Sequence, residues 1–408
     1  MIACKYEPFG CIDSIMPIIN SILDTDLYKF TTGYAYSKLF PYAEGVFRFI
    51  DRSDRVYPTG FDEKLREEIN HLSTVALTVS EAAFIKKAMP YLPPTYVDFL
   101  KGFRFDPNEL DIHLDEGGKL HIDAVGPLYR VTLWETPILA LVSELYYRMM
   151  QAEPDHAYLV EAAIRKAELL KKEQITFSLF GMRRRFSYDV EDKVTGIMKE
   201  HAGSALYGTS NMHFAHKYDL KVSGTHPHEW IQFHGAIYGY KMANYMAMED
   251  WISVYDGDLG TVLTDTYTTD VFLRNFSKKH ALLFTSLRQD SGDPIAFIDK
   301  AITRYKELRV NPSLKYIIFS DSLDTERAIQ IRNACKGRIG CTFGIGTNLT
   351  NDTGSGYKPS NIVMKLWRCR MTEKEQWSDC VKLSDTAGKH TGEEEEIRLA
   401  QATLGIDR

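Results

Sequence analysis

The strongest constraint on the fold is a repeat that begins at Thr176: a short apolar run, a loop rich in glycine and small polar residues, and then a segment of helical periodicity. Short apolar runs that alternate with helices predict parallel strands joined by crossover helices. We therefore expect an irregular or incomplete α/β barrel. The predicted strands are Thr176–Phe180, Leu220–Val222, Gly260–Leu263, Leu282–Leu287, Tyr316–Phe319 and Gly340–Phe343, and the predicted helices are Glu191–Ala202, Pro227–Met248, Asp293–Leu308 and Asp324–Lys336.

The chain before Thr176 has a mixed pattern. Ala43–Arg52 alternates aromatic and charged residues, which is typical of a strand. Glu116–Gly118 is a hairpin signal between two strand-like runs. Together with several helical segments, these features predict an N-terminal α+β domain. The other predictions are a helix start at Leu23–Asp26, strands at Leu110–Leu114, Leu120–Ala124 and Leu128–Leu133, and helices at Phe61–Leu72, Ser80–Ala88, Thr95–Lys101, Glu135–Met150 and His156–Lys172.

The length of 408 residues exceeds that of one ordinary core, so we expect two domains. We place the N-terminal α+β domain at residues 1–140 and the barrel domain at residues 141–367, with a further strand at Ile362–Trp367. Residues 368–408 are expected to form a C-terminal segment that packs back on the N-terminal part. The fold class is α/β.

Composition and charge exclude several classes of function. A net charge of −6 argues against a nucleic-acid groove, although a local basic patch can still bind small polyanions. No run approaches the ~18 apolar residues that cross a bilayer, so we expect no membrane partner. The six cysteines contain no CxxC pair, which predicts neither a zinc site nor a disulfide framework, and we expect reduced thiols in the cytoplasm.

The polar residues that follow the predicted strands should gather at one rim of the barrel, where such folds place their chemistry. Arg183, Arg184 and Arg185 are the strongest electrostatic signal, because three guanidiniums at a strand end can clamp a phosphate; the alternative is a solvated turn. Gly346 and Thr347 follow the last predicted barrel strand and offer backbone N–H groups and a hydroxyl to a phosphate. The rim therefore predicts a phosphate site.

Two further stretches of the rim carry candidate catalytic groups. His226 and His228 stand where a helix begins near Pro227, and the positive end of a helix dipole keeps an imidazole neutral; either histidine could instead be structural. Arg288 and Asp290 share one loop, where the cation could bind a substrate carboxylate and the carboxylate could hold hydrated Mg²⁺; the alternative is an ion pair that shapes the loop.

Ser320 and Asp321 follow the strand that ends at Phe319, and Asp321 could contact sugar hydroxyls or belong to the start of the next helix.

Seven segments of the chain form an ordered set of motifs. They are Asp24–Lys29, Phe180–Arg185, Gly208–Asn211, Gly224–Trp230, Leu287–Asp293, Phe319–Asp321 and Phe343–Thr347. In this order they resemble the motifs of the nicotinate phosphoribosyltransferase family, a resemblance that spans about residues 22–385. Any one segment would be weak evidence, but seven in the same order are highly specific.

This resemblance implies an N-terminal α/β domain, a central irregular barrel and a homodimer. It implies that the protein joins nicotinate to 5-phosphoribosyl 1-diphosphate and couples this reaction to the hydrolysis of ATP. Mg²⁺ is the expected cofactor, and the residues that bind it are not assigned. It also places the phosphorylated histidine at His228, nicotinate contacts at Tyr28, Thr225 and Arg288, and a sugar-phosphate contact at Thr347. Two alternatives remain: a transferase for nicotinamide or quinolinate, and a non-catalytic nucleotide-binding protein on the same fold.

Overall fold

The computed structural model describes residues 16–53, 55–386 and 388–406, which form two sheets surrounded by helices. Within this part of the chain, no helix combines the length and hydropathy needed to cross a bilayer. Cys4 and Cys11, two of the thiols expected to be reduced, lie outside the described residues. Cys335, Cys341, Cys369 and Cys380 are free thiols, as expected.

The first sheet is antiparallel, with the strand order β12-β11-β1-β3-β2. Phe47 and Phe49 of its central strand are buried, as the alternation of aromatic and charged residues predicted. The sheet combines strands from both ends of the chain, because the strand predicted at Ile362–Trp367 pairs with the first strand rather than with the barrel. Its strands are β1 (Glu44–Asp51), β2 (Leu110–Leu114), β3 (Leu120–Pro127), β11 (Ile362–Arg370) and β12 (Ser378–Asp379).

The second sheet is parallel and curled, with the order β6-β5-β4-β10-β9-β8-β7, and its two edge strands are not paired with each other. This confirms the predicted incomplete α/β barrel. The Thr225 hydroxyl donates to the carbonyl of Thr261 and so links the two open edges. The strands are β4 (Phe177–Leu179), β5 (Leu206–Thr209), β6 (Lys221–Val222), β7 (Thr261–Leu263), β8 (Ser286–Gln289), β9 (Tyr316–Phe319) and β10 (Gly340–Ile345).

Helices cover both sheets, and most predicted helices are present with ends that differ by at most three residues from the prediction. The first of them are α1 (Leu27–Leu39), α2 (Phe61–Leu72), α3 (Val79–Ala88), α4 (Pro94–Gly102), α5 (Leu128–Val131), α6 (Glu135–Met149), α7 (His156–Lys172) and α8 (Tyr188–Ala202). The others are α9 (Met212–Tyr218), α10 (His228–Tyr238), α11 (Tyr240–Tyr255), α12 (Thr269–Asn275), α13 (Lys278–Leu283), α14 (Pro294–Glu307), α15 (Thr325–Cys335), α16 (Thr347–Thr350) and α17 (Glu394–Leu404).

Two strand predictions were wrong in type. Leu128–Leu133 forms α5 and a 3₁₀ turn, because β3 continues to Pro127 and the following apolar residues pack against α1 at helical spacing. The first two residues of Leu282–Leu287 belong to α13, which Ser277 starts through a capping box with His280. Both errors arise because a short apolar run has no periodicity that separates a strand from a helix.

Two other differences concern glycines. The helix predicted at Pro227–Met248 is two helices, because Gly239 has a φ of +80° that no helix can contain. Strand β5 was not predicted, since its four residues carry little pattern. Its Gly208 is required by close packing, because a Cβ there would lie 2.1 Å from the carbonyl oxygen of Lys221 in β6.

Candidate active site

A cavity lies where the ends of barrel strands β4 and β8, the start of α10 and strand β11 of the antiparallel sheet meet. Phe180 follows β4 directly, and Arg288 and Asp290 lie at the end of β8. The polar rim predicted for the barrel is therefore covered by the antiparallel sheet, which makes one enclosed site from two parts of the fold. The lining residues are Tyr28, Glu135, Phe180, Arg183, Pro227, His228, Glu229, Gln232, Arg288, Asp290, Met364, Lys365 and Leu366.

His228 is the first residue of α10 and is buried in this cavity. Its Nε2 lies 3.0 Å from Asp290 Oδ2 and its Nδ1 lies 2.9 Å from Thr266 Oγ1. Burial, together with the Lys382 ammonium, lowers the pKa of His228 to about 4 in spite of Asp265 and Asp290. The imidazole is therefore neutral near pH 7, with both nitrogens held by defined partners.

His226 occupies a different environment. Its ring packs edge-on against Trp251 at a centroid distance of 5.1 Å, and it is not among the residues that line the cavity. Burial lowers its pKa to about 3. Of the two imidazoles considered from the sequence, the structure thus brings His228 to the cavity and packs His226 against Trp251.

Arg288, Asp290 and Ser320 form one hydrogen-bonded group beside His228. Arg288 Nη2 lies 3.0 Å from Asp290 Oδ1, and Arg288 Nε donates to Ser320 Oγ over 2.9 Å. Ser320 Oγ in turn donates to Asp290 Oδ1 over 2.5 Å. Burial alone would raise the pKa of Asp290, but the Arg288 guanidinium and the His228 hydrogen bond hold it well below its usual range. Asp290 is therefore an ionised carboxylate between an arginine and an imidazole.

Asp265 adds a second carboxylate; the sequence placed it at the barrel rim without assigning it a role. Its Oδ2 accepts a hydrogen bond from Ser291 over 2.5 Å, while its buried Oδ1 has no hydrogen-bond partner in the described part of the chain. Ligand atoms of Asp265, Asp290 and His228 lie within 4.8 Å of one another. Carboxylate oxygens are the ligands that Mg²⁺ prefers, so the two aspartates fit this cation and the unpartnered oxygen gives it a place to bind.

The three consecutive arginines have three different environments. Arg183 lines the cavity, one third exposed, with its closest carboxylates, Asp26 and Glu135, each 3.8 Å away. Arg184 donates from Nε to the carbonyl of Ile362 over 3.0 Å; burial, followed by Arg183 and Arg52, lowers its pKa to about 10. Only Arg183 of the predicted phosphate clamp therefore faces the site.

Arg185 lies outside the cavity, in a buried cluster of charges. Its Nη1 and Nη2 lie 3.0 and 2.9 Å from the two carboxylate oxygens of Asp24, and Nη1 lies 3.1 Å from Glu191. Glu144 is 3.6 Å from its Nε. The guanidinium is fully buried with three carboxylates around it, so this position supports a structural role and not the phosphate contact expected from the sequence.

A second buried charge cluster joins the elements that carry the site. Lys29 Nζ lies 2.5 Å from Glu135 and also forms an ion pair with Glu229, and all three side chains are at most 5% exposed. Lys29 follows Tyr28 in α1, and Glu229 follows His228 in α10. The cluster therefore holds the N-terminal helix and the barrel helix in one fixed arrangement around the cavity.

The other predicted site residues divide into two groups. Tyr28 is buried and lines the cavity, with the Arg183 guanidinium 6.0 Å from its ring centre. The rest do not line it: Thr225 links β6 to β7, and Asp321 lies 3.3 Å from Lys389. Gly346 and Thr347 lie at the start of the short helix α16, where a Cβ on Gly346 would be 2.7 Å from the Phe180 carbonyl oxygen.

The chain matches two family models. The model of the nicotinate phosphoribosyltransferase N-terminal domain matches residues 23–143, and that of the nicotinate phosphoribosyltransferase family matches residues 175–405. The chain belongs to the nicotinate phosphoribosyltransferase family.

Similar proteins in this family include the nicotinate phosphoribosyltransferase of Chromohalobacter salexigens, 44% identical over 96% of this chain and 100% of that protein. A crystal structure of the nicotinate phosphoribosyltransferase of Porphyromonas gingivalis is 67% identical with a TM-score of 0.94, and covers 95% of this chain and 100% of that one. The corresponding structure from Vibrio cholerae is 32% identical with a TM-score of 0.89, over 96% of this chain and 95% of that one.

Proposed function

We propose that this protein forms nicotinate mononucleotide and diphosphate from nicotinate and 5-phosphoribosyl 1-diphosphate, a salvage step of NAD biosynthesis, and that it couples this reaction to ATP hydrolysis through phosphorylation of His228. The observation that carries the proposal is the meeting of Tyr28, Arg183, Arg288, Asp290 and His228 in one cavity. An aromatic ring, two guanidiniums and a neutral imidazole are the groups that an anionic pyridine and a polyphosphate require.

Nicotinate binding follows from the charges of this group. Arg288 uses one terminal nitrogen and Nε for Asp290 and Ser320, so the other terminal nitrogen, Nη1, is the donor we assign to the nicotinate carboxylate. The Tyr28 ring offers the pyridine a flat apolar face. A cation at this position favours a carboxylate over the neutral amide of nicotinamide.

The transfer itself needs positioning and charge stabilisation. The pyridine nitrogen attacks C1 of the ribose while the bond from C1 to the diphosphate oxygen breaks, and the bonding electrons leave with the diphosphate. Arg183 stabilises the negative charge that develops on this leaving group. Asp265 and Asp290 would hold Mg²⁺, which neutralises diphosphate when it is bound.

The tautomer of His228 determines which nitrogen accepts the phosphoryl group. The ionised Asp290 accepts a hydrogen bond from Nε2–H, so the proton of the neutral ring is on Nε2, and Nδ1 carries the lone pair that the Thr266 hydroxyl faces. We assign Nδ1 as the nucleophile: it bonds to the γ-phosphorus of ATP, and the bond to the ADP oxygen breaks. The new negative charge lies at the N-terminus of α10, where the helix dipole stabilises it.

Such a phosphoryl group gives ATP a way to change the affinity for the substrates. If the phosphorylated form binds 5-phosphoribosyl 1-diphosphate more tightly, its hydrolysis after transfer releases the products.

We also propose that the protein is a homodimer, which analytical ultracentrifugation measures directly.

The experiment is a comparison of diphosphate release by the purified protein with nicotinate, nicotinamide or quinolinate, each with and without ATP. The proposal expects diphosphate release with nicotinate and little release with nicotinamide or quinolinate. It also expects ATP to stimulate the release with nicotinate. Preference for nicotinamide or quinolinate would favour the related transferases instead. No release with any acceptor would favour a non-catalytic nucleotide-binding protein.

A further inference from the structure

Lys365 is a cavity residue that none of the sequence motifs contains. It lies in β11, opposite Arg48 of β1, and so belongs to the antiparallel sheet and not to the barrel. Among the residues that the structure describes, no carboxylate oxygen lies within 4.0 Å of its ammonium. The Lys365 ammonium thus lines an enclosed site with no ion-pair partner in the described part of the chain.

The carboxylates that line the same cavity already have partners. Glu135 and Glu229 share Lys29, and Asp290 binds both Arg288 and His228. Arg183, another cation that lines the cavity, is 3.8 Å from Glu135. Since an unpaired charge in an enclosed site is costly, a lysine in this position is best explained by an anion that the bound state supplies.

We propose that Lys365 binds a phosphoryl oxygen of 5-phosphoribosyl 1-diphosphate or of its diphosphate product, so that the antiparallel sheet contributes a substrate ligand to the barrel site. This inference rests on the proposed function for the identity of the anion. The chemistry it requires is a phosphate or diphosphate group, whose oxygens accept charge-assisted hydrogen bonds from an ammonium.

A pH dependence follows from the charges around Lys365. Burial, followed by Lys382, lowers the pKa of Lys365 to about 7, with Arg183 and Arg52 in the same direction and Glu135 opposing them. A bound phosphoryl group raises the pKa of this ammonium, so binding takes up a proton wherever free Lys365 is partly neutral. Affinity for the anion should therefore fall as the pH rises above about 7.

The test compares wild type, Lys365→Met, Lys365→Arg and Arg48→Met by calorimetric titration with inorganic diphosphate and with ribose 5-phosphate. Arg48 is the matched control, because it removes one cation from the neighbouring strand and contacts Asp123 instead of the cavity. At pH 6.5 we expect Lys365→Met to lower the affinity for one of the two ligands by roughly tenfold to hundredfold, which corresponds to the loss of one charged hydrogen bond. Arg48→Met should bind both like wild type.

Lys365→Arg supplies the second readout. An arginine stays charged, so this variant should recover most of the affinity and lose the proton uptake that titrations in buffers of different ionisation enthalpy detect at pH 8. The melting temperature should not fall in Lys365→Met, since an unpaired cation is removed. A loss with diphosphate places Lys365 at the diphosphate end, and a loss with ribose 5-phosphate places it at the 5-phosphate end.

Unchanged affinity for both ligands in Lys365→Met, or an equal loss in Arg48→Met, would overturn the inference. These titrations do not depend on turnover. A protein that binds diphosphate through Lys365 and transfers nothing to nicotinate would refute the proposed function and leave this site in place, so the two failures are distinguishable.

Discussion

Arg185 and Arg183 are two residues apart and are predicted to respond to the same change in opposite ways. Arg185→Met removes the only cation among the described residues that contacts Asp24 and Glu191, and leaves those carboxylates and Glu144 buried. Breaking a buried charge cluster in this way costs about 3–5 kcal/mol. The loss should appear in the free energy of unfolding and not in substrate affinity.

The size of the effect can be converted to a melting temperature. An unfolding entropy of about 2.1 cal/mol/K per residue gives roughly 0.9 kcal/mol/K for 408 residues. Arg185→Met should therefore lower the melting temperature by roughly 3–6 °C. Because burial raises the pKa of Glu191 to about 8, this side chain is largely uncharged near pH 7, so adding Glu191→Gln should change the melting temperature of the Arg185→Met protein little.

Arg183→Met is the control. Its carboxylates are 3.8 Å away and it is one third exposed, so its contribution to stability should be below about 1 kcal/mol. Its loss should instead raise the KM for 5-phosphoribosyl 1-diphosphate. Scanning calorimetry and steady-state kinetics on both variants check the pair. An Arg185→Met protein with the melting temperature of wild type and a raised KM for 5-phosphoribosyl 1-diphosphate would show that the buried cluster has been misinterpreted.

Three further predictions concern the cavity. Arg288→Ala should weaken nicotinate by about 2–4 kcal/mol and 5-phosphoribosyl 1-diphosphate far less, as separate binding titrations would measure; equal losses would refute the carboxylate contact. His228→Asn should abolish ATP hydrolysis and acid-labile labelling from γ-labelled ATP but retain slow transfer to nicotinate, whereas His226→Asn should keep the label; the reverse pattern would identify the other imidazole. Because the pKa of His228 is about 4, ATP hydrolysis followed between pH 8 and pH 5 should show no loss from protonation of this imidazole, and a break near pH 6.5 that His228→Asn removes would contradict the neutral ring.

Six of the seven barrel strands were predictable, because buried parallel strands are short and almost entirely apolar, as Tyr316–Phe319 illustrates. The arrangement of the rim followed, since loops after parallel strands meet at one edge. His228, Arg288 and Asp290 are therefore together, as expected. The pattern could not show whether a short apolar run such as Leu128–Leu133 forms a strand or a helix. Its tertiary contacts make it helical.

The sequence could not show how charges would be distributed inside the structure. Three consecutive arginines look alike in a sequence, but the turn after β4 sends Arg183 to the cavity and Arg185 into a cluster whose other members, such as Asp24, are distant in the chain. Lys365 was missed because its strand was assigned to the barrel domain from the sequence, whereas it belongs to the antiparallel sheet. A lone lysine within an apolar run between two predicted domains was the available signal.

The buried partners also explain part of the motif pattern. Asp24 accepts from Asn211 over 2.7 Å, and Asp26 accepts from Ser210 over 2.6 Å. The segments Asp24–Lys29 and Gly208–Asn211 therefore fasten the N-terminal helix to the barrel and place Tyr28 in the cavity. Part of what resembles a catalytic signature is the polar contact between two parts of the fold.

The most direct measurement of the central claim is mass-spectrometric detection of the nucleotide formed by the purified protein from nicotinate and 5-phosphoribosyl 1-diphosphate in the presence of ATP and Mg²⁺. The account predicts nicotinate mononucleotide and diphosphate in equal amounts, with product formation sharply reduced at limiting nicotinate in Arg288→Ala. Formation of nicotinamide mononucleotide in preference to the nicotinate product, or no nucleotide with either base, would contradict it.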